Sequence, residues 1–373
     1  MSTQEQPIRV LAPRITRRQF LQSSLAFGGA AFLGACGVRP SPTVPSTKLE
    51  DELNLYNWSD YLHPDLVPEF TSNFGVAIVE DFYASNEDLL AKLQAGAPGY
   101  DVVVPTGYTV QILAKEGFLL ELDRARLPNF SHMDPKFLDQ PWDPGNRYSV
   151  PKDWGTTGYG YRHDVITGQP DSWADFWELA TEHSGQVSVL DVNVDVVGAA
   201  LKLLGFGWNS VDPGELEQAK QKLLELKPQV RTITSVYKDL IKTQQTVLSM
   251  GWNGDFLALA FEDPPVPVTY VVPREGTELW MDNWCILKNA PHPNASHAFL
   301  NYMMDPTVCA REIQYTYYAQ ANKDALPLIP EEFRNDPAIY PSADIIARLE
   351  PTADRGPEGT RLLDEVWSAF LAG

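Results

Sequence analysis

The chain is predicted to fold as an α/β protein, and three features carry that reading. Short β-rich runs alternate with amphipathic helical stretches. The run Tyr100-Asp101-Val102-Val103-Val104-Pro105 is apolar with little alternation, as in a strand of a parallel sheet buried on both faces. Helix starts recur directly after strand-like runs, as at Ser85-Asn86-Glu87-Asp88, where an N-cap residue precedes acidic residues in the first turn.

Taken in order, Leu53 to Tyr56 alternates like a first strand and Val76 to Tyr83 reads as a second. The helix after Ser85 carries Leu89, Leu90 and Leu93 on one face; the strand at 100–105 and a short helix from Tyr108 to Gly117 follow. Strand–helix–strand–helix order predicts a doubly wound lobe. A second set of elements begins after Tyr148-Ser149-Val150-Pro151. Ser172-Trp173-Ala174-Asp175 resembles a capping box opening a helix to His183. Gln186 to Leu190 is strand-like, and Val196 to Leu204 is helical before Gly205 ends it. Asp212-Pro213 starts a helix that runs to about Lys227, where Pro228 stops it. Val268 to Val272 and Leu279 to Leu287 read as strands, and the tail from Gly359 to Leu371 has helical spacing in Leu362, Leu363, Val366 and Phe370. No internal repeat is evident.

Composition bounds the class. The 373 residues are 44% hydrophobic and 21% charged, a globular composition with enough chain for two domains. The net charge is −20, or about −23 once the four arginines and one glutamate of the first 35 residues are set aside. An acidic surface argues against nucleic acid or anionic lipid as partner and favours a cation.

The N-terminal segment supplies an address. Thr16-Arg17-Arg18-Gln19-Phe20-Leu21 resembles the twin-arginine export signal. The apolar stretch Leu25 to Leu33 is too short to span a bilayer, so residues 1–35 read as a removable signal. Leu33-Gly34-Ala35-Cys36 resembles the bacterial lipoprotein box, in which the cysteine becomes the lipidated first residue. Residues 36–48, with Pro40, Pro42 and Pro45, then form an extended tether. The expected product is extracytoplasmic and touches a membrane only through acyl chains on Cys36. Cys285 and Cys309, far apart, are expected to be buried free thiols. The six histidines lack metal-ligand spacing and read as structural or surface residues.

The chain has no Gly-x-Ser-x-Gly elbow, no His-Glu-x-x-His, no phosphate loop and no Gly-x-Gly-x-x-Gly after a strand. No catalytic machinery, metal or cofactor is therefore expected. What is unusual is the placing of aromatic residues beside carboxylates at predicted strand ends. Trp58 and Tyr61 follow the first strand, Tyr108 follows the Pro105-Thr106-Gly107 turn, Trp252 lies in Gly251-Trp252-Asn253-Gly254-Asp255, and Trp280 and Asp282 lie in Trp280-Met281-Asp282-Asn283-Trp284. In open α/β sheets ligands bind beyond the carboxyl ends of strands, where such residues line a cleft.

The segments Leu55-Tyr56-Asn57-Trp58-Ser59-Asp60-Tyr61, Ser85-Asn86-Glu87, Tyr100 to Pro105, Ser172 to Asp175 and Trp280-Met281-Asp282 resemble, in order, the bacterial spermidine/putrescine-binding components of ABC importers. The resemblance runs from about Leu53 to the C-terminus. It implies a type II periplasmic binding protein fold, with two α/β lobes joined by hinge strands: residues 49–156 with 281–326, and residues 157–280 with 327–373. It implies a ligand-delivering monomer that docks on a permease and catalyses nothing. Carried over by position, it places Trp58, Tyr61, Thr106, Tyr108, Asp195, Trp252, Trp280, Asp282 and Tyr318 around a polyamine. The chemistry agrees: methylenes need flat apolar walls, and each ammonium gains from aromatic faces and carboxylates. Two departures stand out. Val192 occupies the position of the family's second acid one turn before Asp195, and the family's C-terminal glutamine has no counterpart around Leu349 to Ala353. The same fold also carries ferric ion, for which Tyr315, Tyr317 and Tyr318 are the residues to watch, and a two-carboxylate hydrolase is the enzymatic alternative.

Overall fold

The structure, a computed structural model, describes residues 48–373 except 97 and 98. The export signal, Cys36 and all but the last residue of the tether lie outside the described residues. The described residues belong to one compact unit.

Ten strands form one continuous sheet. They are β1 (Glu52–Trp58), β2 (Ala77–Tyr83), β3 (Val102–Val103), β4 (Ser149–Arg162), β5 (Val187–Val189), β6 (Val230–Ile233), β7 (Leu248–Trp252), β8 (Val268–Val271), β9 (Leu279–Ile286) and β10 (Ala319–Gln320). The helices are α1 (Leu66–Phe74), α2 (Asn86–Gln94), α3 (Gly107–Lys115), α4 (Trp173–Glu182), α5 (Asn193–Leu203), α6 (Pro213–Leu226), α7 (Lys238–Lys242), α8 (Asn253–Ala260), α9 (Pro293–Met303), α10 (Pro306–Thr316), α11 (Glu331–Arg334), α12 (Ala343–Ile346) and α13 (Gly356–Ala372). Strand order is β2-β1-β3-β9-β4-β7-β5-β6, with β8 and β10 also paired to β4. β1, β2 and β3 are parallel, as the strand–helix alternation predicts, and β5 is parallel to both β6 and β7.

β4 is the spine. Its first half, Ser149 to Thr156, runs antiparallel to β9, and its second half, Thr157 to Arg162, runs antiparallel to β7 and β8. Every one of its 14 residues is buried, so it carries no alternation by which a sequence reading could find it. Only its start was legible. β6 and β7 were also missed, being short and flanked by helical segments.

Helix starts were read more accurately. Ser172 accepts from the Asp175 amide while Asp175 reaches back, a complete capping box. The Ser85 hydroxyl accepts from the Asp88 amide at 3.1 Å, and Asp212 caps α6. α5 begins at Asn193, three residues before the expected Val196, because its N-cap is Val192, whose side chain caps nothing. That start has none of the usual polar signals.

Two large apolar cores flank β4. One is built from β4 beyond Tyr159, from α4 to α8, and from Leu363, Val366 and Phe370 of the terminal helix. The other is built from β1, β3, β9, α1, α9 and α10. Cys285 and Cys309 are free and buried, as expected.

Candidate ligand-binding site

The site forms where the carboxyl ends of β1, β3 and β7 face the first half of β9. Trp58 closes β1, and the turn beyond it passes through Asp60 at φ 55°, a left-handed conformation that aspartate tolerates. Tyr61 is thereby turned inward and is 6% exposed. Thr106 and Tyr108 lie at the start of α3, after β3. Tyr317 ends α10 at φ 59° and swings Tyr318 into the same space. Trp252 ends β7, and Asp195 sits in the first turn of α5. Trp280 and Asp282 are the second and fourth residues of β9, near its amino end rather than a carboxyl end, because β9 runs antiparallel to β3.

Asp282 is the anchor of this arrangement. Tyr61 donates its hydroxyl to one carboxylate oxygen at 3.0 Å, and Thr106 donates to the other at 2.7 Å. Asn86, first residue of α2, donates its amide to the Thr106 hydroxyl at 2.9 Å and accepts from the Thr106 backbone at 3.2 Å. The Ser85-Asn86 helix start thus fixes the rotamer that grips Asp282. Burial pushes the Asp282 carboxyl up to about 7, against the hydrogen bonds from Thr106 and Tyr61 and the charge of Lys152, which pull it down.

A bulge explains the neighbours of Asp282. Pro151 pairs with Asn283 and Trp154 with Met281, so both Lys152 and Asp153 stand opposite Asp282. The Lys152 ammonium pairs with Asp153, lies 3.5 Å from Glu312, and sits 3.7 Å above the Tyr61 ring. All three charged groups are fully buried. Burial raises Glu312 to about 7. No sequence pattern announced this cluster, because a two-for-one bulge is a property of pairing.

Aromatic faces line the rest. Trp280 meets Tyr318 edge-on with centroids 4.9 Å apart, and Tyr318 meets Tyr61 at 5.7 Å. Trp58 and Trp252 face each other edge-on at 6.5 Å. The Trp58 indole donates to the Val104 carbonyl at 2.8 Å, and the Trp252 backbone donates to the Tyr237 hydroxyl at 2.8 Å, so both rings are held. Gly155 lets Trp280 lie on the β4 backbone, since any Cβ there would collide with Trp280 and Asn253.

A second group of charges lies beside Trp252. Burial, with the charge of the neighbouring Glu278 next, pushes Asp195 well above the usual carboxylate range, and the Trp252 side chain acts the other way. The Tyr108 hydroxyl donates to Glu87 at 3.2 Å, and burial raises Glu87. The Arg355 guanidinium faces Tyr108, Glu278, Asp195 and Glu87, and burial lowers its pKa. All nine residues expected from sequence therefore lie in one region, while Asn86, Glu87, Lys152, Asp153, Glu278, Glu312 and Arg355 were not singled out. Glu278 had a readable signal, because it lies two and four residues before Trp280 and Asp282 on a period-2 strand.

The other expectations sort clearly. Tyr315, Tyr317 and Tyr318 do not converge: Tyr315 packs on His63, and Tyr317 packs in a three-ring cluster with Phe261 and Phe333. A surface cavity of about 410 Å³ lined by Ala174, Trp177, Leu203, Lys222 and Leu226 lies among α4, α5 and α6, away from these groups. It lacks converging rings and carboxylates, so the buried cluster around Asp282 is the better candidate.

Comparison with known proteins now defines the class. The family model of the bacterial extracellular solute-binding proteins matches residues 65–341. A putrescine/agmatine-binding protein of Pseudomonas aeruginosa is 34% identical over 340 residues, 87% of this chain and 93% of that protein. The spermidine/putrescine-binding periplasmic protein of Escherichia coli K12 is 34% identical over 324 residues, covering 86% of this chain and 92% of its own. The solved structure of a Listeria monocytogenes spermidine/putrescine ABC transporter protein superposes with a TM-score of 0.80 at 30% identity, over 87% of this chain and 98% of that one. The chain belongs to the bacterial extracellular solute-binding proteins, in the family of the spermidine/putrescine-binding periplasmic proteins, and its mixed α/β fold is the periplasmic solute-binding fold.

Proposed function

We propose that this protein is the extracytoplasmic polyamine receptor of an ABC importer, binding spermidine, putrescine or a close relative and catalysing nothing. The observation that carries the reading is Asp282, a buried carboxylate gripped by Tyr61 and Thr106 within a box of Trp58, Trp252, Trp280 and Tyr318. An ammonium entering that box meets aromatic faces worth roughly 0.5–2 kcal/mol each and a charge-assisted hydrogen bond worth about 1.5–3 kcal/mol. The names of the relatives point to the same ligands.

In this reading residues 49–156 with 281–326 and residues 157–280 with 327–373 are two lobes, a division supported by the two separate cores. β4 and β9 pass between them and act as the hinge. Ligand closes the cleft because it contacts both sides only in the closed form. The closed monomer then docks on the permease. The twin-arginine signal and a lipid on Cys36 hold it extracytoplasmically at a membrane face; no helix among the described residues is long and apolar enough to cross one.

A thermal-shift screen of the protein with putrescine, spermidine, spermine, cadaverine, agmatine, ferric citrate and sugars tests this. Ligand at about 100 times its dissociation constant adds about 2.7 kcal/mol of stability. The expected outcome is a shift with one or more polyamines and none with ferric citrate or sugars; silence with every polyamine overturns the reading. The lipid anchor is tested separately, since Cys36→Ala should release the protein from the membrane fraction of its host.

A further inference from the structure

Val192, the residue one turn before Asp195, is part of the apolar core. The first turn of α5 thus offers this end of the site a single carboxylate, Asp195. The structure places a second elsewhere. Glu278 continues the β4–β9 ladder, its carbonyl accepting from the Thr157 amide at 3.4 Å, so residues 278, 280 and 282 share one face of the strand. That face reads carboxylate, indole, carboxylate over a backbone span of about 13 Å. Glu278 is 4% exposed and Asp195 is 2% exposed. The Thr157 hydroxyl donates to Glu278 at 3.1 Å, and Trp252, beside Asp195, stands edge-on to Trp58.

We infer that Glu278, paired with Asp195 beneath Trp252, is the second ammonium-binding group of the site, so that Glu278, Trp280 and Asp282 together recognise an extended aliphatic cation with two charged nitrogens. This rests on the polyamine reading above and specifies how that site measures charge separation. Burial, with the charge of Glu278 next, favours the protonated form of Asp195 until a cation arrives. The other charged or titratable groups facing the pair are Glu87 from α2, Tyr108 from α3, Tyr270 from β8 and Arg355 before α13. Arg355 offsets one of the acids, which leaves the charge of about one ammonium to be met. One of its terminal nitrogens donates to the Trp208 carbonyl at 3.0 Å, while its buried Nε has no hydrogen-bond partner.

The test is isothermal titration of wild-type and Glu278→Gln protein with spermidine, putrescine and the monoamine 1-butylamine, in two buffers of different ionisation enthalpy. Glutamine keeps the size and can donate to Asp195, so the unliganded variant should melt at or above the wild-type temperature. The variant should bind the best wild-type polyamine at least tenfold more weakly, release fewer protons on binding, and be unchanged toward 1-butylamine. Unchanged affinity of Glu278→Gln for a polyamine that the wild type binds overturns the inference and leaves the receptor reading standing. A lowered melting temperature with equal losses for monoamine and polyamine assigns Glu278 a structural role and overturns it as well. Failure of the wild type to respond to any polyamine overturns the receptor reading and this inference with it.

Discussion

Asp282 holds two opposing tendencies in one side chain. Its burial disfavours charge, while Tyr61, Thr106 and Lys152 favour it, and the balance leaves the carboxyl at about 7. Replacing it by asparagine keeps the shape and removes the charge. Asp282→Asn should weaken polyamine binding by about 2–4 kcal/mol, measured by titration calorimetry, and an unchanged affinity would remove it from the site. The pH dependence follows from the same group. Its folded pKa is above the unfolded value of 3.8, so the folded state holds the proton more tightly between those values. The stability it contributes is present below about pH 4 and is lost as pH rises through about 7, with Glu312 acting in the same direction. Unliganded protein should therefore melt lower at pH 7.5 than at pH 5.5. A cation needs the ionised carboxylate, so affinity should fall by up to about tenfold per unit below pH 7. Flat affinity from pH 5.5 to 8 would contradict this. Asn86, which touches no ligand in this reading, governs Asp282 only through Thr106; its role was hidden in sequence because Asn at a helix start reads as capping chemistry.

At the scale of elements, the site depends on how β4 and β9 lie together. Gly155 lets the Trp280 ring rest on β4, and Gly155→Ala should cost about 1–3 kcal/mol of stability through overpacking, visible as a lower melting temperature. The β4 bulge sets two residues against Asp282 and brings the Lys152 ammonium over Tyr61. Lys152→Met should destabilise the fold by about 3–5 kcal/mol, because Asp153 and Glu312 would be left buried without a counter-charge. Denaturant unfolding measures it, and a neutral effect would mean that both acids are protonated. Period and capping make β1, β2, β5, β8 and β9 and the helices α2, α4, α6 and α13 legible. The all-buried β4 and the unsignalled start of α5 were not visible, since neither has a polar face or a capping residue.

At the scale of the molecule, closure in the proposed mechanism is helped by ion pairs that join the two groups of elements. Lys238 lies 3.2 Å from Asp60, and Lys115 lies 2.6 Å from Asp354. These pairs are partly exposed, so each contributes about 0.2–1 kcal/mol and is weakened by salt. Lys238→Ala should speed ligand release a few-fold at low ionic strength and less at high salt; stopped-flow fluorescence of the cleft tryptophans reads it, and salt-independent release rates would exclude a latch.

What the sequence determined by itself is the α/β class, the helix starts and the kinds of side chain gathered for a cation, because periodicity, capping and composition are local properties. It also placed Trp58, Tyr61, Thr106, Tyr108, Asp195, Trp252, Trp280, Asp282 and Tyr318 in one region through resemblance. Only the tertiary structure decided which acids stand together. Glu278 reaches Asp195 from 83 positions away, and Lys152 and Asp153 both meet Asp282 because the strand bulges. Register and bulges arise from pairing between distant segments, and no local pattern of residues encodes them.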